Sequence, residues 1–259
     1  MSNAPSVVAL DEIIALSKRL RLKYLRECAP EVLITAKAQR WDPAEVIKAL
    51  LVAEVAGRDR SGIANRTKRS RLRTGKTFDA WDPEISRVPI PMVYGLKTLE
   101  WITRGENLVI CGPSGTGKSH FTEALGHKAI EDGKSVMWFS VEDLGAIVRR
   151  HRIDDTVVKA MSALARIDLV IVDDIGMLGI SPDASEGLYR LIDQAYEQRS
   201  VAVSSNLHPS AFDQIMDKNL AAALTDRLLH HAHIVITEGA SIRLSEATTG
   251  KGVMPLTQK

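Results

Sequence analysis

The chain has 259 residues, 45% of them hydrophobic, and a formal net charge of +2. That is enough apolar material for one sizeable core and a smaller appendage. There is no run of eighteen uncharged apolar residues, no basic start followed by an apolar run as in a signal peptide, and only Cys28 and Cys111 as cysteines. These features exclude a spanning helix and a disulfide framework, and the expectation is a soluble cytoplasmic protein without membrane association.

The near-neutral total hides an asymmetry. Residues 1–88 hold 17 Lys/Arg against 11 Asp/Glu, a net of +6, which leaves −4 for the remainder. Residues 58–76 alone carry eight basic residues and one acidic. A basic segment joined to a mildly acidic domain points either to an anionic polymer as partner, nucleic acid first, or to a solubilising linker.

In chain order, Ile13, Ile14, Leu20 and Tyr24 recur at helical spacing, which predicts one amphipathic helix over 10–27. Asp42, Pro43 and Glu45 then form a helix-start signature, with Val46, Ile47, Leu50 and Leu51 as the apolar face of the helix that follows. The basic stretch comes next, with Arg66, Lys68, Arg69, Arg71, Arg73 and Lys76 as the candidate DNA contacts. From residue 107 short Val- and Ile-rich runs ("NLVICG", "SVMWFSV", "DLVIVDD", "SVAVSSN", "HIVIT") alternate with stretches of helical spacing. That alternation predicts an α/β fold whose parallel sheet is covered on both faces. The expected division is a small all-helical basic domain over 1–78, an α/β domain over 79–245 and a loose tail over 246–259.

Two segments end in Gly-Lys-Ser/Thr. A phosphate loop needs a strand to deliver it, an early glycine, and a helix starting at the lysine, so that backbone N–H groups and the positive helix end meet the phosphates. "NLVICGPSGTGKS" at 107–119 has all three. "RTGKT" at 73–77 has neither a preceding strand nor the early glycine, since Ser70 stands five residues before Gly75. Its Lys76 reads as one more charge of the basic stretch.

"DLVIVDDIG" ends a buried strand in Asp173 and Asp174, where parallel sheets bind ligands. Asp173 is the candidate magnesium carboxylate. Asp174 either activates the attacking water or caps the following turn. Asn206, after "VAVSS", is either a γ-phosphate sensor or a turn residue. Arg227, in "LTDRLLHHAHIVI", is either an arginine reaching a neighbouring subunit's phosphoryl group or half of a structural salt bridge. His230, His231 and His233 lack the cysteine partners of a structural zinc site.

Taken together, these residues resemble the IstB-like family, helper ATPases of insertion-sequence transposition within the AAA+ class, which also contains helicase loaders of the DnaC type. The resemblance runs over nearly the whole chain and rests on "CGPSGTGKSH", "LVIVDDIG", "SSNLHPSAFD" and above all "LTDRLLHHAHIV" followed by "SIRLS". It implies a P-loop three-layer sandwich that binds ATP with Mg2+. Gly112, Pro113, Ser114, Gly115, Thr116, Gly117, Lys118 and Ser119, with the adjoining His120, would hold the nucleotide. Ser119 and Asp173 would hold the metal, Asp174 would take the catalytic acidic position, Asn206 the first sensor, and Arg227 the trans-acting finger. Arg243 is either a second sensor or a strand salt bridge. Implied partners are double-stranded DNA, a cognate transposase and further copies of the chain in a ring or helix; the alternative client is a replicative helicase. One departure stands out, because AAA+ proteins usually carry glutamate where this chain has Asp174, which implies slow turnover.

Overall fold

The computed structural model describes residues 7–83, 86–176, 179–239 and 241–242, with side chains from residue 10 onward within those spans. Arg243 and the tail from 246 lie outside the described residues. The chain divides into two compact units, Met1–Asn65 and Arg66–Lys259. The division therefore precedes residue 78, and the basic stretch from Arg66 onward falls in the second unit.

The first unit is built from α1 (Val7–Arg19), α2 (Lys23–Gln39) and the larger part of α3 (Pro43–Ser70). Where the sequence predicts one helix over 10–27, the chain makes two. The break is a left-handed cap at Arg21, φ 57°. Leu22 N–H donates to Ser17 O at 2.8 Å and Arg21 N–H to Lys18 O at 3.1 Å, the paired bonds of a Schellman ending. α2 closes in the same way at Arg40, φ 53°, with Trp41 N–H donating to Ala36 O at 2.9 Å. No glycine marks either stop, so composition hides them.

α3 begins as predicted. Asp42 Oδ1 accepts from Ala44 N–H at 2.8 Å, and Glu45 Oε2 accepts from Asp42 N–H at 3.3 Å. Its expected apolar face differs from the buried one, for Ile47 and Leu51 are more than half exposed. The buried side instead carries Glu54 and Gly57. Glu54 Oε2 accepts from the N–H groups of Tyr24 and Leu25 at 2.8 and 2.9 Å, capping the open end of α2, while Arg58 pairs with Oε1 at 2.6 Å. Gly57 leaves room for the Tyr24 ring, whose atoms lie within 2.0–2.5 Å of where a Cβ would stand.

The second unit opens with α4 (Ile90–Lys97) and α5 (Glu100–Thr103). Strands and helices then alternate: β1 (Asn107–Cys111), α6 (Lys118–Glu131), β2 (Val136–Ser140), α7 (Val141–Arg152), α8 (Val157–Leu164), β3 (Leu169–Ile175), α9 (Pro182–Ala195) and β4 (Ser200–Ser205). A 3-10 turn at Pro209–Gln214, α10 (Lys218–His230) and β5 (Ala232–Ile236) complete it. The sheet is parallel throughout, in the order β2-β3-β4-β1-β5, and its strands fall in the five apolar runs. Side-chain alternation gives each face its own core. Val109, Val170, Val172, Val201 and Val203 pack with residues of α7, α8, α9 and α10, whereas Ile171 points to α6 and touches Gly126. Helices thus cover both faces, the arrangement continuous apolar strands require. β1 lies between β4 and β5, so the ends of β1, β3 and β4 converge on one edge of the sheet, and the functional side chains gather there.

Candidate functional site

The loop after β1 is shaped by three residues at positive φ: Gly112 (146°), Gly115 (82°) and Gly117 (89°). At Gly112 a side chain is excluded twice over, since an added Cβ would stand 2.1 Å from Thr237 O. Thr237, fully buried at the end of β5, braces the loop. Its N–H donates to Cys111 O at 2.8 Å, and its hydroxyl lies 2.8 Å from that of Thr116. Ile242 N–H adds a bond to Gly115 O at 2.9 Å. Burial pushes the Cys111 thiol up to about 11, against the pull of the Lys118 charge, so this cysteine is an inert part of the core.

α6 begins at Lys118, which puts its open N–H groups and positive dipole end at the loop. Lys118 is 6% exposed, and its Nζ donates to Gly112 O and Pro113 O, both at 2.7 Å, and to Asn206 Oδ1 at 2.9 Å. Asn206 is fixed from behind by its own N–H, which donates to Ile175 O at 2.9 Å. The lysine and the amide named from sequence therefore meet in one place.

Asp173 is buried and faces the same cleft. Its Oδ1 accepts from Ser119 Oγ at 2.8 Å and from Ser204 Oγ. Hydroxyl and carboxylate oxygens gathered at one point form a donor set suited to a hard divalent cation. Asp174 is turned out of the core by a bulge. Val172 pairs with Val203 but Ile175 with Ser205, so β3 has one residue more than β4 over that step. The extra residue keeps Ile175 in the core and Asp174 in solvent, where simple alternation would bury the charge. Asp174 takes φ 63°, a conformation that Asp and Asn tolerate better than other side chains.

Arg73 and Lys76, which the sequence groups with the DNA contacts, line the cleft instead. The cleft holds about 390 Å3 and is also lined by Lys118, Ser119, His120, Asp174 and Asn206. Arg73 N–H and Nε donate to the two oxygens of Glu123, each at 2.8 Å, and one terminal nitrogen lies 3.2 Å from Asp173 Oδ2. Burial works against the Arg73 charge, but its bond to Glu123 and the carboxylates of Glu123, Asp173 and Asp174 hold the guanidinium's pKa above its usual value. His120 Nε2 lies 3.1 Å from Thr77 O; burial, aided by the Lys76 charge, lowers its pKa. Phe78 packs edge to face on Trp81 and on Phe121, and Trp81 lies tilted against Phe121, with centroids 5.8–5.9 Å apart, which fastens the strap that follows α3 to α6. Glu123 escaped the sequence reading. Its signal was a lone carboxylate between the apolar Phe121 and Leu125 on a helix buried along that side.

The remaining cations sit apart. Lys68, Arg69 and Arg71 are exposed, and Arg71 lies 5.2 Å above the Phe139 ring. Arg66 is half-buried, with its Nε unpartnered among the described residues. Arg227 is outside the cleft lining, 3.0 Å from Asp193 Oδ1 and stacked 5.4 Å over Tyr189. This is the salt-bridge alternative within one chain, though with Asp193 as partner. His233 pairs with Glu106 at 2.7 Å, while exposed His230 and His231 come within 4.8 Å of Glu197 by their ligand atoms. Among the described residues no helix is long and apolar enough to cross a membrane.

Comparison with known proteins places this geometry. The family described as IstB-like ATP binding protein matches residues 15–249. The chain is 30% identical over 242 residues to the insertion sequence IS21 putative ATP-binding protein of Pseudomonas aeruginosa, covering 92% of this chain and 90% of the relative. It is 29% identical over 232 residues to the insertion sequence IS232 putative ATP-binding protein of Bacillus thuringiensis, covering 88% and 92%. AMPPCP-bound DnaA from Aquifex aeolicus superposes with a TM-score of 0.54 at 20% identity, over 73% of this chain and 59% of that one. The fold is the P-loop sandwich of the AAA+ class.

Proposed function

The chain belongs to the IstB-like ATP-binding family, and from that premise we propose that it is a DNA-acting ATPase serving insertion-sequence transposition. The observation that carries the reading is the meeting of Lys118 with Asn206 and of Ser119 with Asp173 around one glycine loop. The loop N–H groups and Lys118 bind the phosphates of ATP, and the Ser119 hydroxyl and Asp173 hold Mg2+. When bound, magnesium supplies charge neutralisation to the transferred phosphoryl group. Asp174, kept in solvent by the bulge, orients and deprotonates the attacking water, and Asn206 reports whether a γ-phosphate is present. Arg227, at the outer surface and away from its own cleft, reaches the phosphates held by a neighbouring copy.

Two sources support the client. The relatives carry insertion-sequence names, and exposed Lys68, Arg69 and Arg71 offer charge to double-stranded DNA. The protein assembles with ATP into a ring or helix on target DNA, and that assembly recruits the cognate transposase. The test is a size measurement with duplex DNA and a non-hydrolysable ATP analogue. A multimer is expected; a monomer under both conditions overturns the reading. Pull-downs with the transposase and with a replicative helicase separate the two clients.

A further inference from the structure

Arg73 stands in an unusual electrostatic position. Glu123 is fully buried on α6, and three donors of Arg73 converge on it: the backbone N–H, Nε, and a terminal nitrogen 2.6 Å from Oε1. The same terminal nitrogen is 3.2 Å from Asp173 Oδ2. Ser119 and Ser204 take the other oxygen of Asp173, so the guanidinium holds Oδ2. The side chain is half exposed and lines the cleft beside Ser119 and Lys118.

A divalent cation and a guanidinium repel each other and cannot both neutralise that oxygen. We propose that Arg73, anchored by Glu123, is a resident counter-cation of the nucleotide site, one that competes with Mg2+ for Asp173 and turns onto the terminal phosphates when Mg-ATP enters. The inference rests on the nucleotide reading above and adds a residue and a partner to it. Movement is confined to the end of the side chain. The backbone N–H and Nε stay on Glu123, and only the terminal nitrogens exchange a carboxylate oxygen for a phosphate oxygen, both good guanidinium acceptors. Arg73 is therefore a phosphate-binding residue supplied in cis by the strap after α3, and Glu123 is its positioning residue.

The test uses the full-length protein and a fluorescent ATP analogue, titrated with Mg2+ and again with EDTA. Arg73→Gln combined with Glu123→Gln removes one charge of each sign and keeps hydrogen-bonding groups; it leaves no unpaired carboxylate at position 123, while Asp173 keeps its bonds from Ser119 and Ser204. The ratio of Kd in EDTA to Kd in Mg2+ is expected to rise at least about ten-fold in this double variant, because Mg2+ can replace the charge of Arg73 at Asp173 and the phosphates, whereas in EDTA nothing takes its place. A ratio within about two-fold of wild type, in a variant folded by circular dichroism, overturns the proposal.

A second measurement needs no nucleotide. Millimolar Mg2+ is expected to raise the melting temperature of Arg73→Gln by several degrees and to leave wild type nearly unchanged, since only the variant presents Asp173 and Glu123 without their guanidinium. Equal responses overturn the competition. Wild type that binds no nucleotide under either condition overturns the nucleotide reading instead, and the melting experiment still decides whether Arg73 and Mg2+ compete.

Discussion

Lys118 and Asn206, on α6 and at the end of β4, touch through Nζ and Oδ1 at 2.9 Å. The proposed phosphate-binding cation and the proposed sensor amide are thus linked directly. Lys118→Ala is expected to abolish nucleotide binding, because it removes the buried cation that meets the loop carbonyls. Asn206→Ala is expected to leave affinity within a few-fold and to cut turnover by about 10–100-fold, consistent with the loss of one transition-state contact. Nucleotide titration beside phosphate release distinguishes the two, and equal losses of affinity would remove the sensor role.

Asp174 joins an exposed carboxylate to a left-handed backbone. Asparagine tolerates that conformation equally well, so Asp174→Asn tests the charge alone. Binding should persist while turnover falls by at least about 100-fold, the scale of a lost general base. Asp174→Glu extends the carboxylate by one methylene and should raise turnover. An unchanged rate in Asp174→Glu would argue against the shorter side chain as the cause of slow hydrolysis.

Arg227 pairs with Asp193 across a partly exposed surface, 33% and 42% accessible, where an ion pair contributes less than about 1 kcal/mol. Arg227→Ala should therefore leave melting and nucleotide affinity near wild type and eliminate hydrolysis in the assembled state. Asp193→Ala breaks the same pair from the other side. If it matches Arg227→Ala in turnover, the arginine is structural rather than a finger.

The positions of Arg73 and Lys76 in the cleft narrow the proposed DNA surface to Arg66, Lys68, Arg69 and Arg71. Replacing Lys68, Arg69 and Arg71 with glutamine should weaken duplex binding and flatten its salt dependence, by about 0.9 in the log–log slope for each phosphate contact removed. Arg73→Gln should change that slope little, since its charge is spent inside the protein. Affinities measured across a range of salt concentrations decide this.

Glu54 gives the first unit a pH dependence. Its burial opposes ionisation, but bonds from Leu25, Arg58 and Tyr24 outweigh it and hold the carboxyl below the usual range. A depressed pKa stabilises the fold above the unfolded value of about 4.3, and that stabilisation disappears as pH falls through the folded value. Hydrogen exchange at the Tyr24 and Leu25 amides should accelerate as acid is added, and Glu54→Gln should flatten the response. Parallel acid profiles for the two proteins would remove Glu54 as the cause.

Much of this molecule is written locally. Five apolar runs gave five strands, and of two similar phrases the one preceded by an apolar run folds as a strand, a glycine loop and a helix. Asp42 announced α3 through chemistry that acts within three residues. What escaped depends on distance or on uncommon backbone. Arg21 and Arg40 end helices in a conformation associated with glycine, so their sequence carries no stop sign. The bulge at Asp174 is set by pairing with β4. Arg73 looked like any other charge in a basic run because its partners, Glu123 and Asp173, lie 50 and 100 positions away. A cation's role is fixed by the anion it meets, and local composition does not record that meeting.

Two of the cleft's cations are already engaged: Lys118 with three oxygens of the protein, Arg73 with two carboxylates. An arriving triphosphate therefore trades partners and does not quench bare charge. Trading costs less structural change in both directions, and for the proposed nucleotide site this predicts fast exchange of bound nucleotide in a single chain. In the proposed assembly, longer occupancy would come from a neighbouring copy or a polymer that makes the exchanged arrangement the better one. The affinity of a single chain for ATP is accordingly a poor guide to how long the assembly holds it.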